Sequence, residues 1–161
     1  YNVGANMTSK DLSSVLDMAI QKEIEAQAFY LDLHKRVDDP EAKQALQFMA
    51  QEEKKHEEFL TNYKKGGIGA ESLRQTQVID YKIAEHLDKP DVSGKLESKD
   101  VYLIAAHREL NSYNFYNALA DIHPEGETKS MLLRMANEEL KHKEKVEYLY
   151  SNTAFPQTAG G

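Results

Sequence analysis

The sequence predicts an all-α protein, a four-helix bundle with a long crossover between its second and third helices. Three observations lead there: four stretches in which apolar residues recur at alternating spacings of three and four, two short turns with one long connection between them, and a repeat relating the first helix pair to the second. No strand-like alternation competes with this reading. At 161 residues the chain has the size of one domain and can bury a core without covalent staples.

The first helix is expected from about residue 9 to 37, with Leu16, Ala19, Glu23, Ala26, Tyr30, Leu33 and Val37 on one face. It should stop at Asp38-Asp39-Pro40, because Pro fits the first turn of a new helix and breaks an ongoing one. The second helix, about 40 to 65, carries Leu46, Met49, Glu53, His56, Leu60 and Tyr63 and ends at Gly66-Gly67. Residues 66–98 have a different texture, with Gly66, Gly67, Gly69, Pro90 and Gly94 around one short helical candidate at about 78–87. Ser98 then offers a cap for a third helix to about residue 122, marked by Tyr102, Ala105, Glu109, Ser112, Tyr116 and Leu119. After the turn at His123-Pro124-Glu125-Gly126, a fourth helix of about 127–151 shows Leu132, Met135, Glu139, His142, Val146 and Leu149. Short turns force antiparallel neighbours, whereas a parallel step needs enough chain to travel the length of the bundle, so two tight pairs and one long link imply a single crossover.

The bundle is therefore expected over residues 9–151. Residues 1–8 read as an N-terminal extension or a remnant of recombinant expression, and 152–161, with Pro156 and Gly160-Gly161, as a loose tail. The chain has no cysteine, which excludes disulfides, thiolate metal centres and a cysteine nucleophile. Its formal charge is −7, with basic and acidic residues interleaved, so nucleic acid is not an expected partner. Apolar runs fall far short of the roughly 20 residues needed to cross a bilayer. A cytoplasmic protein that does not engage membranes is the expectation.

A shift of 86 residues lays Met49-Ala50-Gln51-Glu52-Glu53-Lys54-Lys55-His56 over Met135-Ala136-Asn137-Glu138-Glu139-Leu140-Lys141-His142, and Glu23, Ala26, Phe29 and Tyr30 over Glu109, Ser112, Phe115 and Tyr116. The two helix pairs are thus two copies of one hairpin. Each Glu-x-x-His puts a carboxylate and an imidazole one turn apart on the same face. That spacing alone is common. What makes it specific is that Glu23, Glu53, His56, Glu109, Glu139 and His142 all fall on the apolar stripes, where an ionised carboxylate costs several kcal/mol unless paired or coordinated. Two divalent ions would balance four carboxylates, whereas one would not. Carboxylate oxygen with neutral imidazole suits iron or manganese, with zinc a further candidate.

Other residues divide by the same criterion. Glu52 and Glu138 repeat but lie off the stripes, which assigns them to solvent or to support of the neighbouring ligands. Tyr30 and Tyr116 occupy matching stripe positions about two turns beyond Glu23 and Glu109, where a phenol could hydrogen-bond a ligand or a bound oxygen species, with core packing as the alternative. His34, His86, His107 and His123 have no repeat partner and are expected at the surface or as caps; Met49 and Met135 are expected in the core rather than as haem ligands.

From about residue 9 to 151 this pattern resembles the ferritin-like superfamily of diiron carboxylate proteins, and the rubrerythrins in particular. The matching elements are Glu23-x-x-Ala26-x-x-Phe29-Tyr30, Glu53-x-x-His56, Glu109-x-x-Ser112-x-x-Phe115-Tyr116 and Glu139-x-x-His142. The resemblance implies a ferritin-like four-helix bundle holding two iron ions. Glu53 and Glu139 would bridge them, Glu23 and Glu109 would be terminal ligands, and His56 and His142 would bind one ion each. It also implies reduction of hydrogen peroxide, or of oxygen, in oxidative-stress defence, with Tyr30 and Tyr116 beside the four carboxylates at the reacting centre.

The sequence departs from the rubrerythrin pattern twice. Members that act as peroxidases usually carry a second Glu three residues after the first on the third helix, where this chain has Ser112. Many also carry a four-cysteine rubredoxin-like domain, absent here, so electrons would come from a separate donor protein such as a rubredoxin. The inferred set of four Glu and two His is equally similar to bacterioferritin centres, which keeps a ferroxidase or iron-storage protein as an alternative, and a non-catalytic metal-binding module is a third. A homodimer is the expected assembly of the leading reading.

Overall fold

A computed structural model describes residues 9–156, with the side chains of residues 9 and 10 outside that description. The expected extension at 1–8 and the end of the expected tail, 157–161, lie outside the described residues. Helix α1 spans Ser9–Arg36, α2 Pro40–Lys64, α3 Ile83–His86, α4 Ser98–Asp121 and α5 Glu127–Ala154, with a single 3-10 turn at Ala70–Ser72. The four long helices pair as α1 with α2 and α4 with α5, and residues 65–97 form the crossover. No helix among the described residues is long and apolar enough to cross a membrane.

Local chemistry sets the helix ends. Asp39 adopts an extended backbone, accepts from the Ala42 N–H at 3.1 Å and places Pro40 at the start of α2. Gly66 ends α2 with φ +79°, a left-handed conformation that a side chain would strain, and its N–H donates to the Tyr63 carbonyl. Ser98 does not cap α4 as expected. Glu97 holds the cap position without a side-chain hydrogen bond, and the Ser98 hydroxyl donates to Asp39 Oδ2 at 2.9 Å, tying the starts of α2 and α4 together. Helix α5 runs on to Ala154, past the expected end near 151, because no breaker intervenes before Pro156.

The crossover differs most from expectation. The helix predicted over 78–87 contracts to Ile83–His86. The backbone around it is engaged by α5 instead: the Ile79 N–H donates to Glu144 Oε2 at 3.0 Å and the Ala84 N–H to Glu147 Oε2 at 2.7 Å.

The stripes face inward and form two apolar clusters. One contains Tyr30, Leu33, Leu46, Met49, Tyr102 and Val146; the other contains Leu16, Leu60, Tyr116, Leu119, Leu132 and Met135. Met49 and Met135 are both fully buried, as core packing requires. Glu23 falls between Ala19 of one cluster and Ala26 of the other on α1, so a polar layer is set into the middle of an apolar core.

Candidate metal centre

All six predicted side chains converge in that layer. Glu23, Glu53, His56, Glu109, Glu139 and His142 are each at most 4% exposed. Glu53, His56, Glu139 and His142 each offer a ligand atom, and these atoms lie within 4.8 Å of one another. The imidazoles stack at 5.1 Å between centroids and turn Nδ1 inward. His56 Nδ1 is 3.2 Å from Glu139 Oε1, 3.5 Å from Glu53 Oε2 and 3.7 Å from Glu23 Oε2. His142 Nδ1 is 2.9 Å from Glu53 Oε1, 3.6 Å from Glu109 Oε2 and 3.9 Å from Glu139 Oε2. Glu53 and Glu139 therefore reach both imidazoles, while Glu23 and Glu109 each approach one. The two halves of the layer are exchanged by the repeat.

Both tyrosines are engaged with these carboxylates. The Tyr116 hydroxyl donates to Glu23 Oε1 at 2.5 Å, and the Tyr30 hydroxyl donates to Glu109 Oε1. Each phenol thus crosses between α1 and α4 to hold the carboxylate of the opposite hairpin. Burial and the carboxylates around them push both phenols well above their usual range, so they remain donors. On the outer side, Glu138 Oε2 lies 3.7 Å from His56 Nε2 and Glu52 Oε2 lies 3.9 Å from His142 Nε2. Lys141 and Lys55 pair with Glu138 and Glu52, each at 2.6 Å. These carboxylates support the imidazoles from behind, the second of the two roles expected for them.

Without a cation, protons have to balance the charge. Burial and the charges of Glu109 and Glu23 push the Glu53 carboxyl up to about 8. Burial and the other three carboxylates push Glu139 well above its usual range. Burial also opposes ionisation of Glu23, but hydrogen bonds with Glu53 and His56 bring it down to about 2. Glu109 is likewise pushed up by burial, and His142 brings it below its usual value. Burial disfavours both imidazolium ions, yet the surrounding carboxylates raise His56 and His142 well above the usual histidine value. Two imidazolium ions and two protonated carboxyls thus offset the remaining carboxylates. Even so, Glu109 Oε2 and Glu139 Oε2 are buried with no hydrogen-bond partner. A cation supplies what these orphaned acceptors lack, and a set of carboxylate oxygens with imidazole nitrogens fits a hard or borderline divalent metal. The cluster is a metal-binding site in its chemistry and its burial.

The histidines without repeat partners stay apart from this centre. His86 is exposed, and His34 is half-buried with its carbonyl accepting from Lys43 Nζ. His107 Nε2 meets the Leu87 carbonyl at 2.7 Å and so ties down the crossover. His123 takes the capping role of the two expected: it is only 4% exposed, and its Nδ1 lies 2.6 Å from the Leu119 carbonyl at the end of α4. Sequence reasoning missed Lys143, which has no exposed surface and contacts Asp80, Glu85 and Glu147 at 2.6, 2.8 and 2.9 Å. The repeat carried the signal, because position 57 in the first copy is Glu where the second copy has Lys143.

Comparison with known proteins agrees with this geometry. A family model described as rubrerythrin matches residues 6–90, just over half of the chain. No curated protein matches. Among solved structures, the chain is similar to a hypothetical protein from Pyrococcus furiosus with a TM-score of 0.61 and 24% identity, the match covering 97% of this chain and 96% of the other. That likeness establishes a shared fold.

Proposed function

The chain belongs to the rubrerythrin family, and from that premise we propose that it is a diiron oxidoreductase that reduces hydrogen peroxide, or oxygen, in oxidative-stress defence. The observation that carries the reading is the buried convergence of four carboxylates and two imidazoles, with two carboxylate oxygens left unpartnered. Glu53 and Glu139, which reach both imidazoles, are suited to bridge two ions; Glu23 with His56 and Glu109 with His142 are suited to complete one ion each. Two ferrous ions bound there would supply the two electrons that cleavage of a peroxide O–O bond consumes.

The chain's own residues supply the rest. Tyr116 and Tyr30 occupy Oε1 of Glu23 and Glu109 and leave Oε2 of each facing the imidazoles. The apolar clusters on either side exclude bulk water from the layer, which strengthens every electrostatic interaction within it. Peroxide reduction to two waters also takes up two protons, and groups that shed protons when cations bind make the layer a suitable local exchanger. Electrons would reach the layer from a donor such as a rubredoxin, since these 161 residues hold no cysteine.

The test is stopped-flow oxidation of the anaerobically reduced, iron-loaded protein. Peroxide should oxidise it at least tenfold faster than oxygen at equal concentration, and equal rates would end the peroxidase assignment. Ser112 favours a second reading, because no further carboxylate stands one turn beyond Glu109 on α4. In that reading the same six ligands form a ferroxidase centre for iron handling. It requires uptake of many irons per chain and a large shell, whereas the peroxidase reading expects a homodimer, so size-exclusion chromatography after iron loading separates the two.

A further inference from the structure

Each buried tyrosine belongs to a closed ring of contacts across the α1–α4 face. Lys22 Nζ lies 4.6 Å from the centroid of the Phe115 ring. The Phe115 and Tyr116 rings meet edge to face at 5.2 Å and 71°. The Tyr116 hydroxyl then donates to Glu23, the residue next to Lys22. The other ring has the same parts: Arg108 Cζ lies 4.5 Å from the Phe29 centroid, Phe29 meets Tyr30 at 5.6 Å and 72°, and Tyr30 donates to Glu109, next to Arg108. The 86-residue shift lays Lys22 over Arg108 and Phe29 over Phe115, so one clasp is built twice from independent residues.

The cation has a definite job in this geometry. Phe29 and Phe115 are half-buried, at the rim of the bundle, and each forms one wall of the slot holding its tyrosine. A cation over the face of such a ring pins it from the solvent side through the negative potential of the π-system. Arg108 Nε is buried with no hydrogen-bond partner, as expected of a guanidinium that lies against a ring rather than a carboxylate. A pinned ring keeps the phenol on Oε1 and so keeps Oε2 turned towards the metal layer, 3.7 Å from His56 Nδ1 for Glu23 and 3.6 Å from His142 Nδ1 for Glu109.

We propose that Lys22 and Arg108 are positioning residues of the metal centre, each acting through the Phe–Tyr pair of the opposite helix to orient one carboxylate, Lys22 for Glu23 and Arg108 for Glu109. This rests on the metal-site reading above. The first measurement needs no metal: nuclear magnetic resonance of the metal-free chain with 13C-labelled tyrosine rings, the Tyr30 and Tyr116 signals being identified by their loss in Tyr30→Phe and Tyr116→Phe. Lys22→Met, which keeps the apolar stem, should move the Tyr116 signal and leave Tyr30 in place. Arg108→Met should do the reverse, and Lys22→Arg and Arg108→Lys should restore both positions. In the second measurement, cobalt(II) titrated into the metal-free chain should bind about two- to fivefold more weakly in Lys22→Met, as expected for loss of one partly solvated cation–π contact. That loss should vanish in a Tyr116→Phe background, because the two residues act in series. Unmoved tyrosine signals, or a cobalt loss that adds in full to that of Tyr116→Phe, would overturn the proposal. Tyrosine signals that move as stated in the variants, together with a wild-type chain that takes up no cobalt, would uphold the clasp and remove the metal reading instead.

Discussion

The α1–α2 and α4–α5 hairpins are two copies of one unit that face the metal layer identically and the crossover quite differently. Towards the layer, each contributes one Glu from its first helix, a Glu-x-x-His from its second, a cation, a Phe and a Tyr. On the outside α4–α5 carries most of the strap, while the first hairpin meets its end, where Arg36 donates to the Gly94 carbonyl. Lys143 grips Asp80 and Glu85, Glu147 and Glu144 accept backbone N–H groups, Arg134 donates to the Leu73 carbonyl at 2.5 Å, and Glu127 accepts from the Ala70 N–H at 2.6 Å. The matching positions of the first hairpin hold Glu57 for Lys143, Thr61 for Glu147 and Phe48 for Arg134. Glu57 instead accepts from Gln27 Nε2 within its own hairpin, and Phe48 lies under Lys145. The copies thus agree wherever a pair of ions would need symmetry and diverge wherever one crossover can lie on only one side.

The largest effect expected from the shared half is proton linkage. In the metal-free chain the pKa values of Glu53 and His56 of one copy and Glu139 and His142 of the other are all raised, which favours their protonated forms. Two divalent ions should therefore release protons, up to about four, and the overall binding constant should rise by up to about four powers of ten per pH unit. Calorimetric titration in buffers of different ionisation enthalpy measures the count, and a value near zero would mean that the layer is already deprotonated. Stability of the metal-free chain should move the opposite way. Carboxyls whose folded pKa is raised hold more protons than the unfolded chain between about 4.5 and about 8, so that stabilisation is present at low pH and lost as pH rises through the window. Glu52 and Glu138, held down at about 2, contribute the reverse slope only as pH falls from about 4.5 towards 2.

Next in size is loss of a shared carboxylate. Glu53→Ala and Glu139→Ala should each weaken binding of both ions by more than about a hundredfold, beyond the range seen when an outer-sphere partner is lost. Because each carboxylate reaches both imidazoles, the two variants should look alike. A variant that kept one tight ion and lost the other would show that the copies hold separate sites.

The divergent half predicts an asymmetry. Lys143→Met leaves Asp80, Glu85 and Glu147 without the buried cation that joins them and should destabilise the fold by about 2–4 kcal/mol, less than a fully buried pair because Asp80 and Glu85 are 30% and 28% exposed. Glu57→Ala, its counterpart, removes a part-buried hydrogen bond and should cost about 1 kcal/mol. Urea denaturation compares the two, and limited proteolysis within residues 73–97 should accelerate in Lys143→Met alone. Equal losses would mean that the strap adds no stability of its own.

This division also explains what could be read in advance. The helices and the six side chains that meet in the buried layer were legible because local stripes, Pro40, Gly66-Gly67 and Pro124 mark them and the repeat checks each against its copy. The crossover was not legible. Its path is set by Glu144, Glu147 and Lys143, more than 50 residues along the chain from the groups they hold, and no window containing Ile79 or Ala84 reveals that their N–H groups are claimed from α5. Ser98 misled for the same reason, since its hydroxyl serves Asp39 on another helix. The tyrosine positions were visible, but their partners were not: each reaches the carboxylate of the opposite copy, a choice made by the packing of α1 on α4.

The smallest effect returns to the shared half and tests how far the symmetry extends. Tyr30→Phe and Tyr116→Phe each free one Oε1 without opening a large void, so helix content should be unchanged while affinity falls about tenfold, as for loss of an outer-sphere hydrogen bond. The copies predict nearly equal losses. They differ in one respect that bears on this: the clasp on Tyr30 ends in the guanidinium of the half-buried Arg108, and that on Tyr116 in the ammonium of the exposed Lys22. Cation–π attraction strengthens as water is excluded, so Tyr30 should sit in the firmer slot and its removal should cost slightly more. A larger loss from Tyr116→Phe, read by the same cobalt titration, would place the firmer half of the centre on α1.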